Sequence, residues 1–150
     1  ADAKLVVELP RNPEYSPDDT PDTVYGYSYT ASEKDENVYY VVKYEDYSAV
    51  AAQENIDLAN ADTDTQNDFL KGLVDSDIEE YNLSNFTSQF ATSHGYNSIQ
   101  FEGDISDGET SAHMEGTIIL VGEAIYYVVA LTEQGYTSQF DRVVSSLQIN

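Results

Sequence analysis

The sequence has 150 residues, 41% of them hydrophobic, and a formal net charge of −22 from 28 acidic and 6 basic residues. This length and composition predict one folded domain spanning residues 1–150. The charge repels phosphate backbones and anionic lipid, which excludes nucleic acid and membrane surfaces as partners. The lack of cysteine excludes disulfides, thiol catalysis and thiolate metal sites, and no apolar run is long enough to insert into a bilayer.

The N-terminal third predicts short strands separated by polar connections. Residues 4–9 favour a strand that ends before Pro10, and the Pro- and Asp-rich residues 13–22 indicate a surface loop. Residues 38–44 are β-branched or aromatic almost throughout, which is typical of a buried strand.

Three tyrosines alternate with small residues between these segments. Tyr25, Tyr27 and Tyr29 are separated by Gly26 and Ser28. Because strand side chains alternate between faces, this spacing places the three rings on one face of a strand.

The middle of the chain predicts one well-defined helix. Residues 48–61 leave two alternatives open, a loop or a weak helix. Thr65 and Asp68 form a capping-type start, and apolar residues recur at helical spacing as far as Tyr81. The opposite side of this helix is predicted to face solvent through Asp68, Lys71, Asp75 and Glu79.

A hairpin is predicted over residues 99–116, because Asp107-Gly108 is a favoured two-residue turn with alternating sequence on both sides. One polar face then pairs Asp104 with Ser111, Glu102 with His113 and Gln100 with Glu115. The other face carries Ile99, Phe101, Ile105, Ala112 and Met114. A slip of one residue would bury Glu102 and Glu115, so the choice of faces is strongly specified.

The C-terminal part predicts two central strands and a final helix. Residues 117–121 and 125–131 flank a tight turn at Gly122-Glu123 and are apolar on both faces, so they require cover on both sides. Residues 137–146 predict the helix. Together the elements predict an α+β fold with a mostly antiparallel, twisted sheet of about six to eight strands and helices packed on its faces.

The order of elements resembles a known family. The pattern includes a Leu-Pro opening, Tyr-Tyr-Val-Val-Lys-Tyr-Glu-Asp-Tyr at 39–47, Gly-Tyr-x-x-Ile-x-Phe-x-Gly at 95–103, Val-Gly-Glu-Ala-Ile-Tyr at 121–126 and Phe-x-x-Val-Val-Ser-Ser-Leu at 140–147. It is similar to PsbP-like α/β/α sandwich domains, related to the photosystem extrinsic protein and the Mog-type Ran-binding proteins. The resemblance implies an extracytoplasmic bacterial domain, secreted or lipid-anchored, and it transfers no catalytic residue.

The candidate catalytic groups are few. His94 and His113 are the two histidines, and residues 26–30 fail the nucleophile-elbow pattern at their last position. Glu102, Asp104 and Glu115 could meet the carboxylate spacing of a glycosidase, which leaves a hydrolase acting through the 99–116 hairpin as one alternative. The sequence predicts no catalytic residue and no enzyme.

Acidic clusters suggest a second alternative. Residues 62–64, 75–77 and 104–109 are dense in the oxygen ligands that calcium prefers, although none has EF-hand spacing. We predict no cofactor-binding or metal-ligating residue, and we keep calcium-dependent adhesion as an alternative function.

The leading hypothesis is a monomeric, non-catalytic extracytoplasmic binding or accessory domain. No Lys or Arg occurs from residue 72 to residue 141, and tyrosine is abundant, so a protein or cell-envelope partner would meet an acidic, tyrosine-bearing surface. The predicted binding residues are Tyr25, Tyr27, Tyr29, Glu102, Asp104, His113 and Glu115.

Overall fold

A seven-stranded antiparallel sheet dominates the structure, a computed structural model that describes residues 5–10, 13–18, 25–106 and 108–149. Its strands are β2 (Glu14–Asp18), β3 (Tyr25–Glu33), β4 (Val38–Asp46), β5 (Ser84–Ser93), β6 (Tyr96–Ser106), β7 (Ser111–Val121) and β8 (Ala124–Glu133). They lie in the order β2-β3-β4-β8-β7-β6-β5. A separate pair joins β1 (Leu5–Val6) to β9 (Gln148–Ile149). The helices are α1 (Ser48–Gln53), α2 (Thr63–Tyr81) and α3 (Phe140–Ser146).

Two helices cover opposite faces of the sheet. On one face, α2 crosses β6 and β7 and buries Leu70 and Val74. On the other face, α3 packs on β8 and buries Val143 near Leu147. The predicted α+β class, the antiparallel sheet and the helices on both of its faces are confirmed. We call the two sides of the sheet the α2 face and the α3 face.

Strands β7 and β8 form the centre of the sheet, as predicted. Residues 117–120 and 125–130 are buried on both faces. Each fully buried aliphatic side chain contributes about 1.5–3 kcal/mol to folding. The strongest apolar packing therefore lies along these two strands.

The N-terminal predictions need correction. The strand predicted at 4–9 is only Leu5–Val6 among the described residues, and Lys4 lies outside them. The loop predicted at 13–22 contains β2, while residues 19–22 are outside the described part. Pro17 misled the prediction, because proline has no N–H for pairing but is tolerated on an edge strand such as this one.

The helix predictions hold with shifted boundaries. The cap of α2 is Asp62, whose carboxylate accepts a hydrogen bond from the Thr65 N–H at 2.8 Å, so the helix begins before the predicted Thr65 start. The open segment after β4 contains the short helix α1. The last helix begins at Phe140 instead of residue 137.

The hairpin loop between β6 and β7 is longer than predicted. Ser106 pairs with Ser111, so four residues connect the strands instead of two. Gly108 has φ +95°, which suits glycine, and Asp107 lies outside the described residues. The prediction of a two-residue turn is therefore wrong.

The longer loop moves every cross-strand pair by two positions. The observed pairs are Asp104 with His113, Glu102 with Glu115 and Gln100 with Thr117. Since side chains alternate with a period of two, this shift leaves each residue on its predicted face. The predicted partners are wrong, and the predicted polar and apolar faces agree with the observed burial.

Strand β5 was not predicted from the sequence. It is the edge strand next to β6, and most of its Ser-, Thr- and Gln-rich residues are exposed. No helix in the described ranges has the length and apolar character needed to cross a membrane.

Candidate functional site

Four of the predicted binding residues meet on the α3 face. Glu102 and Asp104 come from β6, and His113 and Glu115 come from β7. Their alternate positions and the observed register place them side by side across the two strands. The helix α3 packs on β8, and its first residues, 140–142, border this part of the face.

His113 lies between two carboxylates. Its Nδ1 is 2.9 Å from Asp104 Oδ1, and its Nε2 is 3.3 Å from Glu102 Oε2. The hydrogen bond with Asp104 raises the pKa of the imidazole, partly opposed by burial. The same bond lowers the pKa of Asp104. The charged pair is therefore favoured in the folded protein.

A bulge on β5 orients Asp104. The register of β5 and β6 shifts between Ser84 and Thr87, and Asn85 within it has φ +49°. Such a bulge re-aims a side chain relative to a regular strand. Here the Asn85 Nδ2 donates to Asp104 Oδ2 at 3.0 Å, so one carboxylate oxygen is held by Asn85 and the other by His113.

Glu115 completes the group from the other strand. It lies directly opposite Glu102, and its Oε2 accepts a hydrogen bond from Ser138 Oγ at 3.2 Å. Like charges directly opposite each other on neighbouring strands destabilise the pair. Three carboxylates thus surround one imidazole, and the group keeps a net negative charge even when His113 is protonated.

The segment between β8 and α3 is fixed over this site. The Tyr40 hydroxyl donates to Glu33 Oε1 at 2.7 Å and accepts the Gln139 N–H at 2.7 Å. Gln139 Nε2 also donates to Glu33 Oε2 at 2.8 Å, and Lys34 Nζ donates to the Thr137 carbonyl. Burial raises the pKa of Tyr40 to about 12, so its hydroxyl stays neutral and able to donate.

Two cavities flank the charged group. One has a volume of about 810 Å³ and lies between the hairpin and residues 132–142. The other, of about 300 Å³, lies towards β5. Both are lined by Glu115, Phe140 and Asp141, so the two cavities are neighbours, and we call them together the acidic groove. Its described carboxylates are Glu102, Asp104, Glu115, Glu133 and Asp141.

The predicted tyrosines lie elsewhere on the same face. Tyr27 and Tyr29 are half-buried on β3, with ring centroids 6.1 Å apart, and Tyr15 of β2 packs against both. The Tyr25 side chain lies outside the described part. Strand β3 is three strand spacings from β7, about 14 Å. The structure therefore separates the predicted surface into a tyrosine cluster and the acidic groove.

The acidic clusters considered for calcium have other contacts. Asp62 caps α2, Asp75 binds Lys71 at 2.8 Å, and Asp77 accepts a hydrogen bond from the Tyr127 hydroxyl at 2.6 Å. Among the described residues, one group of at least three His, Cys, Asp or Glu is close enough to share a metal ion: Glu102, His113 and Glu115. Calcium-dependent adhesion stays a prediction.

The geometry bears on the hydrolase alternative without testing it. The pKa of Asp104 is lowered, which makes this carboxyl a poor proton donor at neutral pH. His113 Nε2 faces Glu102, while the nearby Ser138 hydroxyl donates to Glu115. These contacts differ from a serine–histidine pair prepared for nucleophilic attack.

Comparisons with known proteins show low similarity. A scan against protein-family models and a search of curated proteins gave no match. Similar solved structures include LpqN, involved in cell envelope biogenesis of Mycobacterium tuberculosis, with 12% identity over 97% of this chain and 90% of that chain, and a TM-score of 0.48. Another is PA94, a Pseudomonas aeruginosa protein of unknown function, with 11% identity over 88% and 85%, and a TM-score of 0.41. The resemblance to PsbP-like domains stays a prediction beyond the layered architecture.

Proposed function

We propose that the chain is a non-catalytic binding domain that holds an extended basic segment of a partner protein in the acidic groove. The observation that carries this proposal is the placement of Glu102 and Glu115 side by side in the acidic groove, where Glu115 lines both cavities and Glu102 lines the smaller one. A lysine or arginine side chain placed there would contact both carboxylates.

The shape of the groove supports an extended ligand. The larger cavity, about 810 Å³, has the size of ordinary ligand sites, and the smaller cavity continues beyond the Glu102–Glu115 pair. A segment crossing the pair would occupy both cavities. The fixed residues 137–139 give one wall that is already ordered before binding, which lowers the entropic cost of association.

The charge of the groove supports a basic ligand. The described lining of the groove contains five carboxylates, and its described basic side chains are Arg142 and His113. Opposite charges across an interface accelerate encounter and select against anionic partners. The predicted extracytoplasmic location fits such a binding role, and fractionation of cells expressing the full-length precursor tests it.

Binding of a labelled octalysine peptide tests the proposal at physiological salt. Replacing Glu102 and Glu115 by glutamine removes two charge contacts, and we expect about a tenfold loss of affinity in fluorescence anisotropy. The matched control replaces Glu79 and Glu80 of α2 by glutamine, which changes the total charge equally. We expect less than about a twofold change in the control. Equal losses in both variants would show binding to the overall charge and overturn the proposal.

A further inference from the structure

The geometry points to a binding site for one divalent metal ion of the zinc class at Glu102, His113 and Glu115, and we propose this site as a second property of the β6–β7 hairpin. One ligand atom from each residue lies within 4.8 Å of the other two. The inference rests on this side-chain geometry and does not depend on binding of a basic segment.

The distances match a zinc coordination sphere after a small adjustment. Zinc bonds of about 2.0–2.2 Å to nitrogen and oxygen place neighbouring ligand atoms of a tetrahedral site about 3.4 Å apart. The His113 Nε2 to Glu102 Oε2 distance is 3.3 Å. Glu115 has to close the remaining distance by about 1.4 Å or less, which rotation about its side-chain bonds allows.

The hydrogen bond to Asp104 prepares His113 as a ligand. With its Nδ1 at 2.9 Å from Asp104 Oδ1, the neutral imidazole carries its proton on Nδ1 and directs the Nε2 lone pair towards Glu102. Metal-bound histidines usually donate their other N–H to a carboxylate in this way, which fixes the ring and increases its basicity. Asn85 in turn holds the other oxygen of Asp104.

Glu115 has comparable support. Ser138 donates to its Oε2 at 3.2 Å, and this contact leaves Oε1 available as a metal ligand. The three ligands lie on two adjacent strands, whose ladder of hydrogen bonds keeps their backbones in register. Only side-chain rotations are needed to assemble the site.

Electrostatics favours the ion. Glu102 and Glu115 repel each other across the strand pair. One imidazolium brings at most one positive charge to this region, whereas a divalent ion brings two and contacts both carboxylates directly. Metal binding therefore removes a repulsion that the folded chain otherwise retains.

The ligand types select the metal. Calcium takes six to eight oxygen ligands, whereas zinc accepts imidazole nitrogen and carboxylate oxygen together and often keeps a water as its fourth ligand. His113 and two glutamates supply three ligands. The fourth position would open towards the acidic groove.

Isothermal titration of the chelator-treated protein with Zn²⁺ alone tests the site. We expect one ion per chain, with a loss of at least about a hundredfold in affinity for His113→Gln and for Glu115→Gln. Asp104→Asn should lose about 10–100-fold, because it removes the group that orients His113. Controls are Glu79→Gln, for loss of an exposed acid, and His94→Asn, where φ of +53° accommodates asparagine. Both should bind as the unchanged chain does.

Replacement by Co²⁺ provides a second readout, because the intensity of its visible absorption bands reports the coordination number and geometry at the site. The proposal is overturned if no saturable site is found, or if His113→Gln binds as tightly as the unchanged chain. Circular dichroism confirms that each variant is folded before titration. No peptide is present, so failure of zinc binding leaves the octalysine result unaffected, and the converse also holds.

Discussion

The α3 face of the sheet contains two regions, a covered region and an open region, which differ in their side chains and in whether a helix packs on them. In the covered region, formed by β4, β8 and the end of β7, the face is apolar and packs under α3, and Val42, Val128 and Ile119 are fully buried. In the open region, formed by β5, β6 and the start of β7, the same face carries amides, hydroxyls and carboxylates beside the acidic groove. The comparison shows that a short helix can cover one half of a sheet face and leave the other half available for binding.

The largest expected effect comes from the covered region. Ile119→Ala should lower the free energy of unfolding by about 2–5 kcal/mol, because it opens a cavity among tightly packed side chains. Gln100→Ala, on the same face in the open region, should change it by less than about 0.5 kcal/mol. Urea denaturation of both variants checks the comparison, and similar losses would contradict it.

Gly116 tests the packing on the opposite side of the open region. A Cβ at this position would lie 2.2 Å from the Phe101 ring. Gly116→Ala should therefore lower the free energy of unfolding by about 1–3 kcal/mol through overpacking. Adding Phe101→Leu should recover part of that loss relative to the sum of the single variants, because the two residues are in contact. Strict additivity would speak against this clash.

Thr117 lies at the border between the regions. Its hydroxyl and that of Ser98 are buried without a described hydrogen-bond partner. Thr117→Val keeps the shape and removes the unsatisfied group, so we expect an increase of about 1 kcal/mol in the free energy of unfolding. Ser98→Ala should act in the same direction. A loss of thermal stability in both variants would indicate that these hydroxyls are satisfied.

The smallest expected effect is the pH dependence of stability that His113 provides in the open region. The pKa of His113 is raised in the folded chain, chiefly by Asp104, with Glu102 adding to the shift, and Glu115 also faces the ring. The stability this provides is full below the unfolded value of about 6.5 and is lost as pH rises through the folded pKa.

His113→Gln should therefore lower the melting temperature more at pH 5.5 than at pH 9, with chelator present. Asp104 stays ionised over this range, because its pKa is lowered. The change in the free energy of unfolding should be smaller in magnitude than the change caused by Thr117→Val. The reason is that the His113 side chain is 44% exposed, so solvent screens its ion pair with Asp104. A larger loss at pH 9 would reverse the sign and refute the assigned ion pair.

The sequence predicts the sheet face on which each hairpin residue lies better than it predicts that residue's cross-strand partner. Alternation over residues 99–116 identifies which side chains of the hairpin point together, because a one-residue slip would bury glutamates. The same alternation cannot distinguish a four-residue loop from a two-residue turn, since both preserve the faces. Glu102 and His113 were therefore placed in one group but paired incorrectly.

The remaining parts of the site depend on contacts that local patterns do not encode. Asn85 and Ser138 reach the site from 19 and 23 residues away along the chain. Strand β5, which carries Asn85, has no apolar alternation, since it lies at an exposed edge. The dipeptide His94-Gly95 was the available sequence signal for the β5–β6 hairpin, because glycine at the second position favours a two-residue turn. Both residues have positive φ in the structure, as such a turn requires.

The connection between β6 and β7 gives this domain a simple route to altered chemistry in evolution. If the hairpin closed with a two-residue turn at positions 107 and 108, and residues 109 and 110 joined β7, the strands would pair in the shorter register, with Glu102 opposite His113 and Asp104 opposite Ser111. The buried residues would keep their faces, so the core would remain compatible with the fold. The arrangement of Asp104, His113 and Glu115 would nevertheless be dismantled. In homologous chains, the length of this loop should therefore correlate with the presence of the site more closely than the identity of any one acidic residue.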